Sequence, residues 1–266
     1  SEGSKNYQYS NVIASETADG APILDAYLSK QVRASSDLPF NLVIDQLGSI
    51  GPGVDSAVAL AFVLDRETIS VESFGEDHKL LIELSAQALF FDFKTMSVIA
   101  SYPVSFRYID VLDVIPGDDY ISSLVRSILL GGNSTTLVEQ FVRVLSNVDL
   151  NTQVSRRIQV TDVNVAAEAL SVLPPMWADN IPGFKGMLAH SFATSISAEH
   201  AVPMLPYTTG YAVGNRMATR FADGSVFNLT IPETDYGVAL DLSKFAKIQY
   251  AKVPAGTSYV YGAYVD

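Results

Sequence analysis

Even-numbered positions from 80 onward are apolar: Leu80, Ile82, Leu84, Ala86, Ala88 and Phe90, with Glu83, Ser85 and Gln87 between them. The same face resumes at Val98, Ala100, Tyr102, Val104, Phe106 and Tyr108, alternating with Ser101, Ser105 and Arg107. A period of two predicts strands with one buried face, because successive side chains point to opposite sides. The break at Asp92-Phe93-Lys94-Thr95-Met96-Ser97 predicts a short hairpin loop without the Asn-Gly signal. Two strands do not hold alone in water, so other elements must cover the even face. Pro103 has no backbone donor, which favours a sheet edge or a bulge there.

The flanking stretches supply that cover. Ile23, Leu24, Tyr27, Leu28 and Val32 predict a short helix opened by Asp19 or by Ala21-Pro22. Phe40 to Ile44 suits a short buried strand, and Gly48 to Gly53 a glycine-rich connecting turn. Ala57 to Leu64 suits a central strand. Asp65-Arg66-Glu67 then predicts a turn, and Ile69, Val71 and Ser73 a further strand, giving an antiparallel meander of about four strands. Downstream, Asp118-Asp119 caps a helix with Tyr120, Leu124, Ile128 and Leu129 as its stripe and Gly131-Gly132 as its end. Ser134 or Thr135 starts another, with Leu137, Phe141, Val144 and Leu145 spaced for one face. The expected class is α+β, with mostly antiparallel sheets covered by helices.

The second half starts with a strand over Ile158, Val160, Val163 and Val165, with a bulge, after which 165–170 continues either as strand or as helix until Pro174-Pro175. Trp177 to Gly183 reads as a loop, Phe184 to Ile196 as a helix with Met187, Leu188, Phe192 and Ile196 on one face, and Ala201 to Tyr207 as a strand. This helix, polar break and proline-bearing strand parallels Leu24 to Ile44, and Asp235 to Leu240 stands where Asp55 to Leu60 stands. Residues 1–155 and 156–266 are therefore expected to be two related α+β units. Ser258 to Val265 alternates as a final strand.

The hairpin loop also carries a family resemblance. Phe91-Asp92-Phe93-Lys94-Thr95-Met96-Ser97-Val98-Ile99-Ala100-Ser101 resembles the Asp-x-Lys-Thr-Gly turn and Val-Ala-Ser strand of the amino-terminal domain of TolB and the curli-export lipoprotein group. Asp92, Lys94 and Thr95 fall in register, and Met96 stands where that group has Gly. The resemblance covers about ten residues and is topological elsewhere. It implies a bacterial envelope protein, periplasmic or exported, that acts by binding and assembly, and it carries over no catalytic residue.

Composition narrows the function classes. A net charge of −12, with 17 Lys and Arg that do not cluster, opposes nonspecific phosphate binding and hence a nucleic-acid role. Arg156-Arg157 reads as solvated charge at a strand start. The absence of cysteine removes disulfides and thiolate chemistry. No apolar run is long enough to form a transmembrane segment. The chain opens with Ser1, compatible with a removed export signal, and Ser1 to Asn6 reads as a flexible leader.

Candidate chemistry is sparse. His78, His190 and His200 share no metal-ligand spacing, and no nucleophile elbow is present. Asp110, Asp113, Asp118 and Asp119 lack the alternation of a calcium loop. Gly48 to Gly53 lacks the Lys and Ser/Thr of a phosphate loop. No catalytic, cofactor-binding or metal residue is therefore assigned, and no cofactor is expected. Tyr250, Tyr259, Tyr261 and Tyr264 read either as core or edge packing or as a contact surface. The leading expectation is a non-enzymatic envelope protein whose partner is another envelope protein or a second copy of itself. The alternatives are a hydrolase with acid–base groups from distant segments, His78 or His190 first, and a small-ligand-binding module.

Overall fold

The computed structural model describes residues 8–43, 58–132, 135–148, 150, 156–173, 175–207, 216–220, 226–253 and 256–265. The expected leader Ser1 to Asn6, the loop Gly48 to Gly53 and Ile44 lie outside them. The fold is built on three long consecutive antiparallel strands, β3 (Val58–Phe74), β4 (Asp77–Asp92) and β5 (Ser97–Leu112). The predicted hairpin is β4–β5, with Leu84 opposite Phe106 and Ala86 opposite Val104. Its even face is sealed: Leu80, Ile82, Leu84, Ala86 and Ala88 are fully buried.

The meander has three strands rather than four, because Asp65-Arg66-Glu67 is no turn. Leu64 pairs with Ala86 and Arg66 with Ser85, so Asp65 is the extra residue of a β-bulge within one continuous strand. The bulge switches parity. Leu60, Phe62 and Leu64 point inward before it, and Ile69 and Val71 occupy the inward register after it. β3 is also an edge strand, not a central one. Phe40 to Val43 forms no strand, and Val43 is 81% exposed.

Helices cover the even face as expected. α1 (Ser10–Ser15), followed by the two-residue strands β1 (Thr17–Ala18) and β2 (Ala21–Pro22), leads into α2 (Ile23–Ala34). Glu67, turned inward by the bulge, accepts the backbone N–H groups of Tyr9 at 3.1 Å and Ser10 at 2.7 Å and fastens α1 to the sheet. α3 (Asp118–Leu130) buries Ile121, Val125, Ile128 and Leu129. Its stripe is rotated by a residue from the predicted one, and Tyr120 faces outward, 42% exposed. Gly117 is its N-cap and makes no side-chain bond there, so Asp118 and Asp119 act in the first turn through the helix dipole rather than as caps. Gly131 ends it with φ +94°, and a Cβ there would come within 3.0 Å of the Tyr27 hydroxyl. α4 (Leu137–Leu145) is capped by Thr136, one residue beyond the predicted start, in a reciprocal box with Glu139.

The second half adds β6 (Ile158–Val165), α5 (Ala167–Leu170), α6 (Pro175–Ala178) and α7 (Ile181–His200). The predicted β6 bulge falls at Thr161, and 167–170 takes the helical alternative. Trp177 to Gly183 is mostly helical rather than a loop, and His200 is the last residue of α7 rather than a turn residue. Only β7 (Met204–Leu205) of the predicted Ala201 to Tyr207 strand pairs. β8 (Arg216–Arg220), β9 (Val226–Thr230), β10 (Tyr236–Val253) and β11 (Gly256–Val265) complete the chain. Besides the β1–β2 pair, there are two larger sheets among the described residues, the first running β3-β4-β5-β9-β8 and the second β11-β10-β6-β7. Strands from residues 156–266 thus extend the sheet begun within 1–155.

The two sheets meet across α7. Its apolar residues Leu188, Ala189, Phe192 and Ile196 pack with Val160, Val163, Met204 and Leu240 of the second sheet. Its other side carries His190, which reaches β3 of the first sheet. This is an α+β fold of antiparallel sheets with helices, apart from the parallel pairs β6–β10, β6–β7 and β5–β9. The parallel β6–β10 pair needs a long crossover, which α5 to β9 provide.

Candidate functional site: a polar seam and a terminal ribbon

The odd face of β4 and β5 is polar at its centre: Glu83, Ser85, Gln87 and Ser101 are all buried. A solvated face would be the default for such residues, but α7 covers it. His190, Thr194 and Ser197, spaced i, i+4 and i+7, lie on one stripe of α7, and His190 and Ser197 are buried. The bulge places Asp65 where its carboxylate Oδ2 meets His190 Nδ1 at 2.8 Å. Gln87 hydrogen-bonds Asp65 as well, and Ser101 Oγ donates to Gln87 Oε1 at 2.8 Å. Farther along, Arg107 donates through Nε at 2.8 Å to Glu83 Oε2 and lies 2.6 Å from it through a terminal nitrogen. Burial pushes the Asp65 carboxyl up, but the His190 hydrogen bond and charge, with Arg66 behind them, hold it below the usual carboxylate range.

A carboxylate that fixes a histidine through Nδ1 is the arrangement that prepares Nε2 as a general base. Here the His190 side chain is only 6% exposed, while Asp65 is 35% exposed. A general base must lie within hydrogen-bonding reach of a substrate proton. This ring is enclosed between helix and sheet, where its pairing with Asp65 joins the two layers.

The other sequence-selected residues do not converge. His78 Nδ1 is 2.8 Å from Ser73 Oγ across the β3–β4 hairpin, and His200 is exposed, 3.8 Å from Glu199. Asp110 accepts the Tyr108 hydroxyl at 2.9 Å, and Asp118 accepts the Tyr9 hydroxyl at 2.8 Å. Burial, then the Asp118 bond, pushes the Tyr9 phenol up to about 12. Among the described residues, no group of His, Cys, Asp and Glu could hold a metal ion. Arg156 and Arg157 are exposed immediately before β6, and the Arg157 guanidinium, read as solvated charge, donates to the Glu233 carbonyl at 3.3 Å.

In the resembling turn, Asp92 Oδ1 accepts the Thr95 N–H at 2.7 Å and the Thr95 hydroxyl at 2.9 Å. Met96, at the glycine position, has φ +52°, the left-handed conformation glycine takes most readily.

A second feature was only partly legible. β10 pairs with β6 as far as Leu242, and from Lys244 to Val253 its strand partner among the described residues is β11 alone. The result is a two-stranded ribbon whose outer strand, β11, ends its sheet. Phe245 touches Phe184 at 6.4 Å between centroids, and Trp177 lies 5.8 Å from Phe184, forming an aromatic root. Tyr264, opposite Lys244 at the level of the root, is 49% exposed, and Ile248, farther along the ribbon, is 59% exposed. Lys244 Nζ sits 4.8 Å from the centre of the Tyr264 ring. Tyr264 therefore belongs to a surface, not to a core. The side chains of Tyr250, Tyr259 and Tyr261 lie outside the described residues.

No helix is long and apolar enough to cross a membrane among the described residues. Comparison of the chain with protein-family models, with curated proteins and with solved structures found no match.

Proposed function

We propose that this chain is a non-enzymatic binding protein of a bacterial envelope, periplasmic or exported, and that it engages other protein through the open edge of its terminal ribbon. One observation carries the contact reading: among the described residues, the ten-residue β11 ends its sheet with its outer edge unpaired. Such an edge is a template for another strand, with backbone hydrogen bonds supplying the contact. The envelope setting is supported by the resemblance at residues 91–101 alone.

The hydrolase alternative has a specific observation of its own, the His190–Asp65 pair. Enclosure of that ring favours a structural role. The small-ligand alternative has no comparable observation.

The test uses Gly262→Lys, because a Cβ at Gly262 meets no atom within 4 Å and an edge lysine blocks strand addition. Wild-type and variant chains are used as bait in bacterial envelope extract, with unfolding followed in parallel. Capture of a defined protein by wild type and its loss in an equally stable Gly262→Lys chain is the expected result. Equal capture by both would remove the edge from the account. Turnover of ester or peptide substrates that disappears in His190→Ala would replace the reading with the hydrolase.

A further inference from the structure

The odd face of the first sheet is covered in two different ways. Toward one end, Leu89, Phe91 and Val98 pack with Leu205, Leu229 and Ile231 in an apolar joint. At its centre, Glu83, Ser85, Gln87 and Ser101 lie under α7. The apolar residues of α7 belong elsewhere. Phe184, Met187, Leu188, Ala189, Phe192 and Ile196 pack with the second sheet. Among the described residues, none of α7 joins either apolar cluster of the first sheet. β7, next along the chain, divides between the two layers: Met204 enters the core of the second sheet and Leu205 the apolar joint.

The two contacts resist separation differently. Parting the apolar joint exposes apolar surface to water, which is opposed in proportion to its area. Parting the α7 seam returns polar groups to water, which supplies their hydrogen bonds. Three of them gain by it. Ser85 Oγ, His190 Nε2 and Thr194 Oγ1 are buried without a hydrogen-bond partner among the described residues. The His190–Asp65 pair at 2.8 Å is set against that cost and holds the seam closed.

We infer that this seam is an acid-released latch: α7 and the second sheet swing together away from the first sheet about the apolar joint, and neutralising Asp65 frees them. The motion melts neither core, and it does not depend on the ribbon edge.

The direction of the pH response follows from what surrounds Asp65. His190 meets it from α7 and Gln87 from β4, with Arg66 beside it on β3. Glu83 and Arg107, on β4 and β5, pair with each other, and Glu67 on β3 bonds to α1. Burial raises the Asp65 carboxyl, but its partners hold it below the ordinary value while the seam is closed. The open state therefore takes up the proton first, and acid favours opening. The latch is complete above the ordinary carboxylate value and is lost as pH falls through the lower, closed-state one.

The absence of native cysteine makes the test direct. Ser85→Cys and Ala86→Cys place single thiols at adjacent positions of β4, both 0% exposed, one under α7 and one under the helices of the other face. Each full chain is labelled with dithiodipyridine across pH, and rates are normalised to those of the unfolded chain. The expected result is that Ser85→Cys labels about tenfold or more faster than Ala86→Cys, with little dependence on denaturant. Acid should accelerate Ser85→Cys before Ala86→Cys responds. Asp65→Asn or His190→Gln should accelerate it at neutral pH, and Asp65→Asn should remove the acid response. Ala88→Cys, on the same face as Ala86, replaces Ala86→Cys if that chain does not fold. Equal labelling of the two faces at every pH would mean that the seam opens only on global unfolding and overturns the inference. Selective labelling of Ser85→Cys that ignores acid, Asp65→Asn and His190→Gln leaves the latch without its pair and overturns it too.

Discussion

His190 and Asp65 are 125 positions apart in sequence and 2.8 Å apart in the fold. Removing the ring leaves the half-buried carboxylate without its strongest neighbour. A hydrogen bond to a charged group contributes about 1.5–3 kcal/mol, and partial exposure of Asp65 lowers that. His190→Ala should therefore cost about 1–2 kcal/mol, read as a lower urea midpoint with an unchanged slope; no midpoint shift would deny the pair its structural role. The pH dependence follows from the depressed carboxyl. A folded pKa below the unfolded one means that the unfolded chain takes up the proton first. The contribution of Asp65 is thus complete above the ordinary carboxylate value of 3.8 and is lost as pH falls through its lower folded value. Asp65→Asn should therefore lower stability near neutrality and flatten that part of the acid limb, read from urea midpoints across pH; an acid limb as steep as that of the wild type would deny Asp65 this role. At the hairpin turn, Met96 holds a left-handed backbone with an apolar side chain packed beside Phe91 and Val98. A β-branched replacement keeps the packing and worsens the backbone strain, so Met96→Ile should cost about 1 kcal/mol in unfolding measurements. An unchanged value would mean that the strain is not there.

Elements depend on how such residues are supported. α4 is nine residues long, too short to stand on propensity. It is held by its capping box and by Phe141, which is almost fully buried and meets Phe62 edge to face at 5.1 Å between ring centroids. Thr136→Ala leaves the Glu139 N–H without its acceptor and should cost about 1–2 kcal/mol. Phe141→Ala also opens a cavity against β3 and should cost about 3–5 kcal/mol. Chemical denaturation of the two variants checks both the sizes and their order; a cap loss exceeding the core loss would contradict this account. β3 shows what a single extra residue does at this scale. The bulge turns Glu67 toward α1 and sets Asp65 against α7, so one irregularity ties a helix to each face of the sheet.

In the whole molecule, α7 is the shared layer. Its apolar side belongs to the core of the second sheet, and its polar side closes over the first. Protection from hydrogen exchange should follow this layering. β4, paired on both sides and buried along nearly its whole length, should exchange slowest, and β11 in the Gly262→Lys chain fastest among the long strands. Exchange mass spectrometry that finds β11 of that variant as protected as β4 would mean its edge is covered within the monomer.

Local pattern was enough for the β4–β5 hairpin, the helices α2, α3, α4 and α7, and the final strand, because each writes its own period into consecutive residues. The same pattern misread Asp65 to Glu67. The change from even to odd apolar positions between Leu64 and Ile69 signals either a turn or a bulge, and only pairing with β4 decides between them. Phe40 to Val43 carried strand-forming residues but found no partner strand. The polar seam was legible as residues and not as a site. Glu83, Ser85, Gln87 and Ser101 look like a solvated face until a helix about a hundred residues away packs on it, and a contact between distant segments leaves no mark on the spacing of either. The ribbon was legible as two alternating stretches, but its open edge is a property of strand order. Sequence periodicity determined which face of each element is apolar; tertiary structure decided which elements meet, because burial and pairing depend on neighbours that the local chain does not contain.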